Sequence, residues 1–256
     1  MHKAERQKFI VEIVNQRGFI AIKELQKLLG VSMITLRRDA SELEEAGLID
    51  KTYGGLRSKN PESESEKKFN ERLNQNLQRK KKIAQLAVEI VKSGDTLFLD
   101  GSTTVYQFAK SLAQSNLSLY VITTSVMTAL ELSRNPRIEI ILIGGLLRHG
   151  FFTLVGPIAE ENLKKFSVDK FFFSCRGFIP SEGTYEANML EAQSKNNMLS
   201  NSEKHILLVD STKIGSRSII KCIDTDKIDI LITDQMLEQK DLKALKKFNI
   251  EVMADH

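Results

Sequence analysis

GVSMITLRRDASELEEAGLIDKTYGGL, residues 30–56, is the stretch on which the N-terminal fold turns. Ser32 has the side chain and position of an N-cap, so the spacing predicts a helix from residue 33 to about residue 46, stopped by Gly47. Just upstream, residues 23–29 read as a short helix ended by Gly30. Two helices joined by the tight turn Gly30-Val31-Ser32 make a helix-turn-helix. Further back, Phe9, Ile10, Ile13 and Val14 give residues 4–17 the spacing of an amphipathic helix, and a short apolar stretch follows at 19–22. Downstream, residues 48–53 have strand character and Gly54-Gly55 supplies a turn before Leu56-Arg57. A hairpin directly after the second helix is a wing, so residues 1–57 read as a winged helix-turn-helix.

A rotation of about 100° per residue sorts the second helix into two faces. Leu36, Ala40 and Leu43 fall together and are expected to pack on the other helices. Ile34, Arg37, Arg38 and Ser41 point the other way, with Ser32 and Thr35 at the leading edge. Adjacent arginines with hydroxyls near a helix N-terminus suit the major groove of duplex DNA. There arginine bonds phosphates or guanine edges, and hydroxyls bond backbone or bases. On the hairpin, Lys51, Tyr53 and Arg57 would meet DNA phosphates. The competing reading is a solvated face on which Arg37 and Arg38 pair with Asp39 or Glu42.

The chain has 256 residues, 41% hydrophobic and 27% charged, enough for one or two domains with a sizeable core. Its net charge of +4 is unevenly spread. Through residue 82 there are 18 Lys/Arg against 12 Asp/Glu, a net of +6, and beyond it 19 against 21 leave −2. A basic first third on a near-neutral remainder fits a nucleic-acid-binding module attached to a separate body. No apolar run approaches the roughly 18 residues of a membrane span, and Met1-His2-Lys3-Ala4-Glu5-Arg6 has no signal-peptide character. Cys175 and Cys222 stand in no metal-finger spacing and the four histidines form no HExxH pair. Neither a disulfide scaffold nor a metal is expected, no cofactor is called for, and the thiols fit a reduced, cytoplasmic protein.

Residues 58–66 (SKNPESESE) are polar, charged and proline-containing. The expected organisation is a DNA-binding domain over 1–57, a linker over 58–80 and a larger domain over 81–256. The run Arg79-Lys80-Lys81-Lys82 reads as the solvated first turn of the helix defined by Ile83, Leu86, Ala87, Ile90 and Val91, with long-range attraction to DNA as its alternative use. Beyond Gly94, TLFLD, LYVIT, IEIILIGG, DKFFFSC, HILLVD, DILIT and IEVMAD alternate with helical segments. Such near-continuous apolar runs predict an α/β domain with a mostly parallel sheet covered on both faces. Ligands of such sheets bind beyond the carboxyl ends of the strands.

Polar residues gather there: Asp100-Gly101-Ser102-Thr103-Thr104, Thr123-Thr124-Ser125, Gly144-Gly145 with Arg148 nearby, and Asp210-Ser211-Thr212-Lys213. Glycine admits a close ligand, while hydroxyls and free helix N–H groups hold a phosphate. Simple helix capping by Ser102 or Thr103 is the plainer use of the first loop. Its convergence with Arg148 and Lys213 favours an anionic ligand.

Residues 30–56 resemble the signature of DeoR-family bacterial transcriptional regulators through the valine-serine, the threonine, the double arginine-aspartate, Leu43-Glu44, Gly47 and the paired glycines. Ala40 stands where leucine is usual, and Asp50-Lys51-Thr52 where the family more often has a basic, histidine-containing strand. LDGSTT, VITTS, LIGGLLR, LVGPIAEENL, VDKFFFSCRGF and LLVDSTKIG extend the resemblance to that family's sensor domain, over nearly the whole chain. The resemblance implies a fold related to ribose-5-phosphate isomerase and the coenzyme A transferases, and a small phosphorylated sugar as effector. Ser102, Thr103 and Thr104 would then cradle the phosphate, and Asp100, Arg148, Arg176, Glu191 and Lys213 would touch sugar or phosphate. Arg176 and Glu191 read equally well as surface residues.

Related isomerases need carboxylates and a lysine poised for proton transfer. Where they carry an aspartate-rich loop, this chain has Cys175-Arg176-Gly177-Phe178. Cys175 reads as a core thiol. The expectation is therefore a ligand-gated repressor of carbohydrate-metabolism genes and not an enzyme, with a sugar-phosphate isomerase carrying a DNA-binding accessory as the alternative. A purely architectural DNA-binding protein would not need the large near-neutral domain. A homodimer or homotetramer would present two reading helices to repeated half-sites of double-stranded operator DNA.

Overall fold

The computed structural model describes residues 2–17, 19–52, 54–58 and 69–255. The chain divides into two units, Met1–Lys67 and Lys68–His256. In the first, α1 (Lys3–Arg17), β1 (Phe19–Ala21), α2 (Ile22–Leu29), α3 (Met33–Glu45), β2 (Ile49–Thr52) and β3 (Gly55–Ser58) follow one another. Gly30 ends α2 at φ 63°, a left-handed conformation that side-chain-bearing residues avoid. Ser32 caps α3 by accepting the Thr35 N–H at 3.1 Å. Leu36, Ala40 and Leu43 turn inward onto Ile10, Ile13 and Val14 of α1 and Leu25 of α2, closing one core with Ile20, Ile49 and Leu56. The wing is an antiparallel β2–β3 hairpin whose β3 also pairs with β1, so its base is anchored to the helical core.

The second unit opens with α4 (Phe69–Asn74) and α5 (Leu77–Glu89). Here the expected 58–80 linker needs correction: residues 59–68 lie outside the described residues, but 69–74 and 77–80 are helical and belong to the second unit. The reason is Phe69, fully buried with its ring edge-on to Tyr106 and Phe152 at 5.5 and 6.0 Å, and its N–H donating to Gly150 O at 2.8 Å. Nor is the basic run simply solvated. Lys80 extends the buried stripe of Ile83, Ala84 and Ala87 inward, while Lys81 and Lys82 face water.

Then come β4 (Thr96–Leu99), α6 (Thr103–Ala113), β5 (Leu119–Thr123), α7 (Val126–Leu132), β6 (Ile138–Leu142), β7 (Leu146–Leu147), β8 (Leu154–Val155) and α8 (Pro157–Leu163). After them run β9 (Val168–Phe173), β10 (Gly177–Ile179), β11 (Gly183–Glu186), α9 (Met189–Ser200), β12 (Ser202–Leu208), β13 (Ile220–Asp224), β14 (Ile230–Thr233), α10 (Gln239–Lys246) and β15 (Glu251–Ala254). The seven apolar runs of the sequence are the seven strands of one all-parallel sheet, ordered β15-β14-β12-β9-β4-β5-β6.

Alternation along the strands explains why those runs are apolar throughout. Leu97, Leu99 and Val121 face α5 and α6, while Phe98, Ile122, Phe171 and Phe173 share the other core with α8, α9 and α10. β7 and β8 form a small antiparallel ribbon, and β10, β11 and β13 a three-stranded antiparallel sheet. From β4 the chain winds one way to β5 and β6, and later the other way through β9 and β12. The loops leaving β4 and β9 thus part at a topological switch point, where open α/β sheets place their ligands.

Candidate functional site

On the first unit the expected reading face stands clear of the core. Ile34 is 82% exposed, and Arg37 and Arg38 lie in solvent. The Ser32 and Thr35 hydroxyls are hydrogen-bonded at 2.9 Å at the head of α3. The carboxylates that compete for the arginines are mostly engaged elsewhere. Asp39 is buried and accepts two bonds from the Arg6 guanidinium, at 2.5 and 3.2 Å. Glu42 accepts from Lys3 and Gln7, which hold its carboxyl below the usual range. Arg38 Nε reaches Glu42 at only 3.4 Å with 77% of its side chain exposed, a pairing worth little in water. Arg37 has no side-chain partner among the described residues. Lys51 Nζ donates to Ser41 Oγ at 3.1 Å and pairs with Glu44 at 2.9 Å, so these two expected DNA contacts also brace the wing on α3. Tyr53 and the Arg57 side chain lie outside the described residues.

In the second unit, Asp100 ties the parting loops together. It is buried, and its two oxygens accept the Ser102 N–H at 2.8 Å and the Ser174 N–H at 2.9 Å. A narrow crevice with a free volume of only about 10 Å³ opens beside it, lined by Asp100, Gly101, Thr124, Thr153, Glu191 and Lys195 among others. Gly101 is there for contact: a Cβ would sit 2.0 Å from Thr153 Cγ2. Gly145 serves packing as well, since its Cβ would meet Val155 O at 2.8 Å. Glu191 accepts from Arg148 and, at 2.9 Å, from the Thr153 hydroxyl, while the Arg148 guanidinium lies 4.2 Å over the Phe151 ring.

Ser102 and Ser125 cap α6 and α7, accepting from Val105 at 3.2 Å and Thr128 at 3.2 Å. Thr103 and Thr104 are buried in the first turn of α6. Lys213 Nζ lies 3.4 Å from Ser174 Oγ, itself 3.5 Å from Thr104 Oγ1, and 3.5 Å from Asp210 Oδ2. Arg176 is half-buried on the main chain between β9 and β10, its N–H donating to Tyr185 O at 2.9 Å, and is without a side-chain partner among the described residues.

Under the cleft lies a buried ion cluster. Lys195 Nζ meets Asp100 Oδ2 at 3.0 Å and also bonds Glu186 and Ser174 O. Burial works against the Lys195 charge, but Glu186 and Asp100 outweigh it and keep the ammonium protonated; burial pushes the Glu186 carboxyl up. Glu186 of β11 thus brings a buried carboxylate to the ammonium that also bonds Ser174 O, in the loop after β9. Cys175 is buried and its thiol is pushed up to about 12, so it is inert.

Comparison with known families decides what carries these two sites. Residues 6–62 match the DeoR-like helix-turn-helix domain and residues 75–235 the DeoR C terminal sensor domain. The chain belongs to the DeoR family of transcription regulators. It is 39% identical to the HTH-type transcriptional regulator YulB of Bacillus subtilis, over 98% of this chain and 96% of that one. The HTH-type transcriptional regulator GolR of Listeria innocua is 37% identical over 97% and 96%, and the lactose phosphotransferase system repressor of Streptococcus mutans 32% over 97% and 98%. Among solved structures, ribose 5 phosphate isomerase A of Neisseria gonorrhoeae aligns at a TM-score of 0.41 and 17% identity, over 54% of this chain and 53% of that one. With regulators as its full-length relatives, this DeoR-family chain is a DNA-binding transcription regulator and not an enzyme.

Strand ends alone do not point to Lys195, Glu186, Ser174, Asn76 or Lys80 in this DeoR-family sequence. Two of them carried a signal. Glu191, Ser194, Lys195 and Met198 recur at helical spacing on one face of α9, and Lys80 stands three residues before Ile83 on the buried stripe of α5. Asn76 carried none: it takes a left-handed turn at φ 55° between α4 and α5, and its amide donates to Asp210 Oδ1 at 3.2 Å and Thr212 Oγ1 at 3.0 Å.

Proposed function

We propose that the chain is a cytoplasmic repressor of carbohydrate-metabolism genes whose operator binding is relieved by a phosphorylated sugar held at the strand ends of the second unit. The observation that carries the effector half is the convergence of the loops after β4, β9 and β12. There Lys213 stands beside Ser174 and Thr104, next to a cleft edged by Asp100 and Glu191. In this reading the phosphate lies against Ser102, Thr103, Thr104 and Lys213, with Gly101 lining the adjoining crevice. Thr124, Ser125, Gly145, Arg148, Arg176, Glu191 and Asp100 shape or touch the sugar side. Arg148 and Glu191, bonded to each other, would meet sugar hydroxyls. The lactose phosphotransferase system repressor among the relatives supports a sugar-linked role.

For the DNA half, Ser32, Ile34, Thr35, Arg37, Arg38 and Ser41 enter the major groove, while Lys51, Tyr53 and Arg57 lie along the backbone. A homodimer or homotetramer assembled through the second units sets the spacing of the reading helices, with residues 1–57 as the DNA-binding domain. The effector acts through its differential affinity for two arrangements of the chain. Thermal melts against a panel of sugar phosphates, with the parent sugars as controls, test the effector half. A ligand that binds only the folded state adds about 2.7 kcal/mol at a hundredfold excess over its Kd. A shift with a phosphorylated sugar but not its parent supports the reading; a flat panel contradicts it.

A further inference from the structure

Phe152 stands at φ 57°, in the left-handed region that a bulky side chain avoids, and Gly150 shortly before it stands at φ 77°. Such a conformation persists only where its surroundings hold it. The Arg148 N–H donates to Thr153 O at 2.9 Å and closes the tip that joins β7 to β8, and the Val126 N–H at the head of α7 donates to Phe152 O at 2.9 Å. On the crevice side, Glu191 of α9 accepts from the Arg148 guanidinium and, at 2.9 Å, from the Thr153 hydroxyl. Both ends of the tip are thus anchored on one carboxylate. On its other side the tip holds α4. The Phe69 N–H donates to Gly150 O at 2.8 Å, and the Phe69 ring meets that of Phe152 edge-on at 6.0 Å. The Arg72 guanidinium lies 5.3 Å from the buried Phe151 ring, and that of Arg148 4.2 Å from it. One ring is shared by an arginine of α4 and an arginine tied to the crevice.

We propose that the tip 148–153 is the coupling element of the regulator: it senses the crevice through Arg148 and Glu191 and positions α4 through Gly150, Phe151 and Phe152. The inference rests on the effector reading above and adds to it the route by which an occupied crevice is felt elsewhere. α4 is the first described element of the second unit, so its N-terminal end is where the chain arrives from the first. An effector that draws Arg148 or Glu191 to its own hydroxyls competes with the ion pair that fastens the tip. The left-handed turn at Phe152 then loses a holder, and relaxing it withdraws Gly150 O and the Phe152 ring from Phe69. Strain gives the tip two arrangements, closed and relaxed. Ligand and helix bias the same equilibrium, which is what coupling between two sites requires. Glycine takes the same turn without strain, so one substitution removes the device.

The test is hydrogen exchange of the α4 amides in the full-length chain, read by mass spectrometry, with the amides of β4 and β5 as the reference for intact folding. Glu191→Gln removes the charge that fastens Arg148; exchange in α4 should rise at least about tenfold while the reference amides keep the wild-type rate. Phe152→Gly takes the strain out of the tip, so adding Glu191→Gln to it should change α4 exchange by less than about twofold. Glu191→Gln should also weaken binding to a duplex selected from random DNA at least about threefold, and should not do so in the Phe152→Gly background. If Glu191→Gln leaves α4 exchange within about twofold of wild type, or raises it equally in both backgrounds, the tip does not couple the crevice to α4. A loosened α4 with unchanged duplex binding would make the tip a brace and overturn the proposal as well. Should Glu191→Gln disturb the reference amides, Arg148→Gln breaks the same ion pair from its other side and is read in the same way. Neither measurement uses an effector, so their failure leaves the effector reading standing; that reading falls on a flat melt panel.

Discussion

Arg37 and Arg38 stand in water on α3, whereas Lys195, bearing the same charge, lies 6% exposed between Asp100 and Glu186. The reading helix spends almost no folding energy on its cations. Water and salt screen them, and they are available to a phosphate backbone whose bound counterions they release. The strand-end cations are the reverse case. Lys195 has been taken from water and is tolerated because Asp100, Glu186 and the Ser174 carbonyl meet it, so its charge is part of the packing. The first region can lose a charge at little cost to folding; at Lys195 the loss strands two buried carboxylates and is costly. In the proposed function the same contrast separates the two regions by range: the α3 face would act through long-range electrostatics, the sheet floor through contact geometry.

The sharpest way to break this comparison is to remove one cation from each side. Lys195→Met leaves Asp100 and Glu186 buried without a counter-ion, and urea denaturation should show a loss of about 3–5 kcal/mol. Arg37→Ala, by contrast, should cost less than about 0.5 kcal/mol. Comparable losses would erase the distinction. Phe69→Ala tests whether α4 belongs to the packed second unit: an emptied aromatic site between Tyr106 and Phe152 should cost about 3–4 kcal/mol in the same assay, against almost nothing for a linker residue.

A pH titration sharpens the comparison at Lys80. Its folded-state pKa, about 8, lies below the ordinary 10.5. Between those values the unfolded chain holds a proton that the folded chain has released, so stability rises with pH across that window and the penalty is fully present below it. The rise attributable to Lys80 should be roughly 1–3 kcal/mol, read as the difference between wild type and Lys80→Met. The smallest effect belongs to the reading face. Arg38→Ala should weaken operator binding by about five- to tenfold and flatten the salt dependence by about one unit of slope, with the melting temperature almost unchanged. A collapse of stability instead would mean that Arg38 is structural.

The fold was legible because its signals are periodic and local. Ser32 caps, Gly30 stops, and Leu36, Ala40 and Leu43 recur on one face of α3; apolar runs of strand length sit between helices and became the seven parallel strands. The strand-end loops were legible as well, since a polar run after an apolar one marks a carboxyl end. What stayed hidden depends on contacts between distant elements. Lys195 and Glu186 come together from α9 and β11 only through burial, and Lys80 looked solvated because charge runs usually are. The linker was overdrawn at its C-terminal side because Phe69 is a single aromatic in a polar context, and only its contacts with Tyr106 and Phe152 reveal it as core.

The most direct test of the central claim is fluorescence anisotropy of the wild-type chain on a labelled operator duplex recovered by selection from random DNA, titrated with sugar phosphates and their parent sugars. The account predicts that one phosphorylated sugar weakens operator binding while its unphosphorylated parent does not. An equal response to both, or no response across the panel in a chain that binds its duplex normally, would contradict it.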